Sequence, residues 1–182
     1  LGTSYPVTNV NWYQALKWCN ARSEKEGRKP VYTVSGAVYR TGEINPTVDV
    51  TANGYRLPSE AEWEWAARGG VKSLGYTYSG SNSIDSVAWY KNSGGAMNVV
   101  GLKAPNEIGI YDMSGNAWEW CFDSMGAQRV DRGGDWGDAA VTCSVGNRHY
   151  RDSTDANNYG GFRVATSYLN PAVNPSNPQD AL

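Results

Sequence analysis

Gly109-Ile-Tyr-Asp-Met-Ser-Gly-Asn-Ala-Trp-Glu-Trp120 is the densest signal in this chain. Its first half mixes Gly, Asp, Ser and Asn, which are turn formers for distinct physical reasons. Its second half alternates Ala117, Trp118, Glu119 and Trp120, the period-two pattern of a strand with one buried face. A turn-rich segment running straight into an aromatic strand predicts a fold held by loops packed on rings rather than by long regular elements.

Working outward, Leu57-Pro58 leads into Ser59-Glu60-Ala61-Glu62, a capping box that opens a helix. Trp63, Ala66 and Ala67 line the inner face of that helix, and Gly69-Gly70 end it. An earlier helix is predicted over residues 9–27: Asn11 caps it, Trp12, Ala15, Leu16 and Cys19 repeat with helical spacing, and Gly27 stops it. Short β-like pieces lie at Val31-Tyr-Thr-Val34 and Val48-Asp-Val50. Residues 71–108 are Gly/Ser/Asn-rich with poor periodicity. Further strands are predicted at residues 129–136 and at Gly161-Phe-Arg-Val-Ala165, separated by a polar, loop-like stretch at 137–160. The fold class is therefore α+β, with two helices, short twisted antiparallel strands and much irregular structure. Residues 1–168 read as one domain, and 169–182, with Pro171, Pro175 and Pro178, as an extended or disordered tail.

Composition agrees. The 182 residues hold eight Trp and twelve Tyr but two Phe, so rings supply the buried area that scarce aliphatics do not. A net charge of -2, with mixed signs, leaves no basic face for a nucleic-acid backbone. No apolar run approaches the roughly 20 residues that span a bilayer, and no secretory signal opens the chain. Cys19, Cys121 and Cys143 are too few for a disulfide framework. They read as buried thiols, with one disulfide plus one free thiol as the alternative.

Four segments together resemble one family: Gly54-Tyr-Arg-Leu-Pro-Ser-Glu-Ala-Glu-Trp-Glu-Trp-Ala-Ala-Arg-Gly-Gly70, Asn106-Glu-Ile-Gly-Ile-Tyr-Asp-Met-Ser-Gly-Asn-Ala-Trp-Glu-Trp120, Arg132-Gly-Gly-Asp-Trp136 and Gly161-Phe-Arg-Val164. Over residues 5–166 their order and spacing resemble the formylglycine-generating enzyme, or sulfatase-modifying factor, family. The resemblance implies a variant of the C-type lectin fold. It also implies a strand-rich segment ahead of the first helix, and this chain starts almost at that helix, as a trimmed domain would. The family holds copper-dependent oxidases, iron-dependent sulfoxide synthases and non-catalytic binders, among them the variable proteins of diversity-generating retroelements. Function must then be argued from the site.

The oxidases hold Cu(I) with two cysteines, and soft thiolates suit that ion. The resemblance places the pair at Asp138 and Cys143, one carboxylate and one thiol, so no copper is expected. A three-His iron site cannot be built from the single His149, nor can a zinc site. The expectation is a non-enzyme, with an oxidoreductase of altered site or an ordinary lectin-fold binding module as alternatives. By resemblance to a calcium-binding loop, Asp112, the carbonyls of Gly115 and Ala117, and Glu119 are candidate ligands for a structural Ca²⁺, an ion that takes oxygen donors. The Glu-Pro-Asn and Trp-Asn-Asp motifs of calcium-mediated sugar binding are absent.

Residues 132–164 resemble the variable region of those retroelement proteins. The frame Arg132, Gly133, Gly134, Trp136, Cys143, Asn147, Arg148 and Gly161 to Val164 is kept. Template Asn positions instead hold Gly137, Asp138, Ala139, Val141, Thr142, His149, Tyr150, Arg151, Asp152 and Tyr159, the candidate ligand-binding residues. Randomising the adenines of an AAC codon yields such types but never Lys, Glu, Gln, Met or Trp. None of those five occurs from Gly137 to Val164. An ordinary polar loop is the competing reading. Tyr with small and polar residues is also the mixture antibody loops use. Alanine at Tyr150, Arg151 or Asp152 is expected to cost under about 0.5 kcal/mol, as at surface sites. Trp118, Trp120 and Trp136 are expected in the core. The resemblance implies a cell-surface or secreted protein; a monomer that binds an unknown protein or cell-surface ligand, without itself entering a membrane, is expected.

Overall fold

The computed structural model describes residues 4–166. The tail read as disordered lies outside them. The described residues pack as two compact units. One is built from residues 4–15 with Leu57–Arg163, the other from Leu16–Arg56 with residues 164–166.

Helix α1 runs Trp12–Lys25 and begins in the first unit. Its cap is reciprocal: Asn11 Oδ1 accepts the Gln14 amide at 2.8 Å, and Gln14 Oε1 accepts the Asn11 amide at 2.8 Å. In the second unit, strands β1 (Tyr32–Val34), β2 (Ala37–Val38) and β3 (Thr47–Val48) form an antiparallel sheet of order β2-β1-β3, and β4 (Tyr55–Arg56) pairs with the terminal strand. Buried Asn20 joins helix to sheet, accepting from the Tyr32 amide and donating to the Tyr32 and Tyr39 carbonyls.

The first unit carries helix α2 (Glu60–Ala67), whose capping box forms as read: Ser59 Oγ accepts from the Glu62 amide and Glu62 Oε2 from the Ser59 amide. A one-turn helix, α3 (Ile84–Val87), lies in the stretch that lacked periodicity, being too short for a repeat to register. Strands β5 (Trp118–Met125), β6 (Gln128–Arg132), β7 (Arg148–Asp152) and β8 (Gly160–Gly161) make a sheet of order β7-β6-β5-β8. The last strand, β9 (Ala165–Thr166), pairs with β4.

Three expectations are corrected here. The sheet is mixed, because β8 pairs parallel to β5. The stretch 137–160 holds a five-residue strand, β7, whose Arg-rich sequence conceals it. The predicted closing strand splits into two short ones on different sheets, β8 and β9.

Trp63, Ala67, Met113, Cys121, Val130 and Val145 form a buried core cluster between α2 and the sheet. Buried indoles want a partner for their N–H. Trp12 Nε1 donates to the Cys121 carbonyl at 2.9 Å, Trp120 Nε1 to the Val10 carbonyl at 3.1 Å, and Trp63 Nε1 to Glu119 at 2.6 Å. Each ring at full burial contributes on the order of 4–6 kcal/mol by area. Gly115 lets the turn before β5 close against Trp89: a Cβ there would sit 2.2 Å from the Trp89 carbonyl oxygen, at φ 74°. All three cysteines are free and buried.

Candidate binding surface

The frame of the 132–164 region is buried only in part: Arg132, Gly133, Gly134, Cys143 and Gly161 are buried, Trp136, Asn147, Phe162 and Arg163 are half-buried, and Arg148 and Val164 are exposed. Arg132, at the end of β6, is 1% exposed. Its guanidinium binds Glu60 at 3.1 Å, Glu64 at 2.5 Å and the Val145 carbonyl at 2.8 Å. Gly133 and Gly134 then turn the chain with positive φ. The loop that follows is closed by two carboxylates. Asp135 Oδ1 accepts the Gly137 amide, Asp138 Oδ2 accepts the Asp135 amide at 3.1 Å, and the Asp138 carbonyl accepts the Lys91 amide at 3.0 Å. Burial, then the neighbouring Asp138 charge, pushes the Asp135 carboxyl up to about 6, against the pull of its backbone donors.

Beneath this loop lies Cys143, fully buried. Burial first, and then the charges of Asp138 and Asp135, push its thiol up to about 12. A protonated thiol beside a carboxylate that already closes its own turn does not fit Cu(I), which asks for two thiolates. Among the described residues, no group of three or more His, Cys, Asp and Glu side chains is disposed to hold a metal ion.

The candidate contact residues divide by exposure. Gly137, Ala139, Asp152 and His149 are exposed, Val141 is 75% exposed and Tyr159 38%; Asp138 and Thr142 are half-buried. His149 Nδ1 lies 2.9 Å from Asp131 Oδ1, and its ring stacks on Trp118 at 5.1 Å. Asp131 raises the His149 pKa above its ordinary value through that hydrogen bond, against partial burial.

Arg151 is a correction. It points to the other side of the exposure divide, 5% exposed, with its Nε 2.7 Å from the wholly buried Asp131, an ion pair without hydrogen-bond alignment. Its guanidinium covers the Trp120 ring at 4.0 Å and donates to Asn157 at 3.0 Å. Gly160 leaves room for it, since a Cβ there would meet Arg151 Nη1 at 2.2 Å. Tyr150, half-buried, packs against the core cluster. Neither residue is a free surface side chain, and the expected cost below about 0.5 kcal/mol does not apply to Arg151.

The structure thus joins His149, Arg151 and Tyr159 through Asp131, Trp118 and Trp120. Tyr159 lies 5.7 Å from Arg151, and its carbonyl accepts the Trp118 amide. The Asp138 charge also acts on His149, which links the 137–142 loop to β7. Sequence reading missed Asp131 as the centre of this group. The signal available was an acid at an alternating position of β6, opposite His149 in register.

Of the predicted calcium ligands, Asp112, Ala117 and Glu119 line a separate cavity of about 480 Å³ beside β5, and Gly115 does not. Asp112, at φ 57°, accepts the Gly101 amide at 2.7 Å through Oδ2, and burial raises its pKa. The Gly115 carbonyl accepts the Ala117 amide at 3.0 Å. Glu119 is engaged on both oxygens: Oε2 by Trp63 Nε1 at 2.6 Å and Arg163 Nε at 2.5 Å, Oε1 by Arg163 Nη2 at 2.5 Å. Arg163 Nη2 also donates to the Tyr111 and Asp112 carbonyls, at 3.2 and 3.4 Å. A guanidinium therefore holds the carboxylate that Ca²⁺ would need, and the set does not fit an ion that takes 6–8 oxygens.

The model of the sulfatase-modifying factor enzyme 1-like domain matches residues 2–168. Chaperone protein LppX of Paenibacillus barcinonensis is 39% identical, over 91% of this chain and 71% of that protein. The solved structure of Treponema denticola variable protein 1 is 35% identical with a TM-score of 0.80, over 90% of this chain and 71% of that one. The inactive C-alpha-formylglycine-generating enzyme 2 of Bos taurus is 32% identical, over 92% of this chain and 52% of that protein, so the chain spans about half its length.

Proposed function

The chain belongs to the sulfatase-modifying factor family, and from that premise we propose that it is a non-catalytic recognition protein whose 132–164 region displays diversified contact residues. The observation that carries this reading is the division within that region. Anchors such as Arg132 and Cys143 are buried, whereas Gly137, Ala139, Val141, His149, Asp152 and Tyr159 stand exposed above them. Side chains that leave the frame intact are the ones that can be exchanged. The likeness to a protein named a variable protein, and to one named inactive, supports the same reading. So does Cys143, whose burial and raised pKa deprive it of the thiolate that catalysis or copper would use.

The proposed mode of binding is direct contact by tyrosine, imidazole and small residues on a preorganised frame, which lowers the ordering cost of association. The partner is a protein or another cell-surface ligand, and the protein acts as a monomer, displayed on a cell or secreted.

The test is to sequence the native locus. A near-identical, non-coding copy of the segment for residues 132–164, differing only at adenines and beside a reverse-transcriptase gene, establishes diversification. Absence of such a copy leaves an undiversified lectin-fold binding module.

A further inference from the structure

Helix α2 buries Trp63 and leaves Trp65, two residues on, 56% exposed. The exposed ring is nonetheless held in place. Gly70, at φ 56°, packs against it so closely that a Cβ there would lie 2.8 Å from Trp65 Cη2. Trp65 lines a groove of about 430 Å³ together with Glu60, Glu64, Arg68, Asp123 and Arg148. This groove shares no residue with the cavity beside β5 or with the candidate contact residues.

The charges of the groove are already paired. Buried Arg132 binds Glu60 and Glu64, Arg148 binds both oxygens of Glu60, and Arg68 binds Glu64 at 2.8 Å. With Asp123 counted, three acids meet three arginines, so the network is neutral. An ionic ligand of either sign would have to break one of these pairs and strand a charge. Hydrogen-bonding capacity is left over. Asp123 Oδ2 accepts the Glu60 amide at 2.6 Å, and a carboxylate has about four acceptor sites. Arg148, half-exposed, directs Nε and Nη2 to Glu60 and Nη1 to the Tyr150 hydroxyl, and each Nη carries a second N–H.

We infer that this groove is a binding site for a neutral pyranoside with equatorial hydroxyls. Such a ring has faces made of C–H bonds, one of which stacks on the Trp65 indole. Its edge carries hydroxyls, each both donor and acceptor, which give to Asp123 and take from Arg148 without disturbing a salt bridge. An apolar group of similar size covers the indole but leaves those bonds unmade. An open-chain polyol makes the bonds but has no flat face. The volume falls within the range of small-molecule sites. The held ring and the paired charges are fixed before binding, which lowers its ordering cost.

The experiment is an NMR titration that follows the backbone amides of Ala61 and Gly70 with methyl β-cellobioside, sorbitol and cyclohexanol. It is repeated on Trp65→Ala and on Trp18→Ala, which removes an exposed indole elsewhere. The expected result is saturable cellobioside binding at least about tenfold tighter than that of either other solute. Trp65→Ala should weaken it at least about tenfold, and Trp18→Ala should leave it unaltered. Absence of saturable cellobioside binding overturns the inference. So does sorbitol or cyclohexanol binding as tightly, an unaltered affinity in Trp65→Ala, or an equal loss in Trp18→Ala. The comparison of the three solutes on the unsubstituted protein decides the matter even if a variant does not fold. None of these outcomes depends on whether residues 132–164 are diversified.

Discussion

Arg151 and His149 stand two residues apart on β7 and meet the same carboxylate, yet substitutions at them should behave differently. Arg151 is buried with Asp131, so Arg151→Ala leaves a wholly buried carboxylate with the His149 imidazole as its remaining partner. The expected cost is about 3–5 kcal/mol, read from urea unfolding. A loss within about 0.5 kcal/mol would mean that the ion pair is not formed. His149 is half-exposed, and its contribution is seen as a pH dependence. Its folded pKa is raised above the ordinary value of 6.5 by Asp131. The stability it adds is therefore fully present below about 6.5 and is lost as pH rises through the higher, folded value. Arg151, Asp131 and Asp138 are the charged groups acting on it. His149→Gln should flatten the fall in stability that sets in as pH rises above about 6.5.

At the scale of elements, the turns hold the fold's most sensitive positions. The loop after β6 carries Asp135, whose folded pKa of about 6 lies above its ordinary 3.8. A raised acid contributes stability below its unfolded pKa and loses it as pH rises toward 6. Asp135→Asn, which keeps an oxygen for the Gly137 amide, should raise the Tm at pH 7, and the gain should shrink at pH 4. A gain of equal size at both values would locate the effect in packing rather than charge. Gly115→Ala forces a Cβ onto the Trp89 carbonyl at a left-handed φ, so a loss of at least about 2 kcal/mol is expected in the same urea assay. Ser59→Ala removes one arm of the α2 capping box and should cost about 1 kcal/mol.

Over the whole molecule, separation of frame from display predicts tolerance. Joint replacement of Ala139 and Val141 by Ser, both exposed, should leave stability within about 1 kcal/mol by near-additivity. The same replacement should change partner recognition. A cooperative collapse would instead make the 137–142 loop part of the core.

Local patterning made much legible. Ser59 and Glu62, three apart, can only serve a helix start, and the reciprocal bonds are present. Asn11 and Gly27 bracketed α1 for the same reason, since capping chemistry is satisfied by near neighbours in sequence. Burial of Trp118 and Trp120 followed from their alternation with polar neighbours, whereas Trp136, also expected in the core, is only half-buried. The segments from Gly54 to Val164 carried the family by long, ordered motifs. Long-range pairing was not legible. That β8 runs parallel to β5, that Arg151 turns inward over Trp120, and that Arg163 takes Glu119 from any metal ion all depend on residues 31 to 44 positions apart meeting across the sheet. A sequence states which groups are charged or apolar. Which charge meets which is set by packing, because a buried ion pair is chosen by geometry and desolvation rather than by spacing.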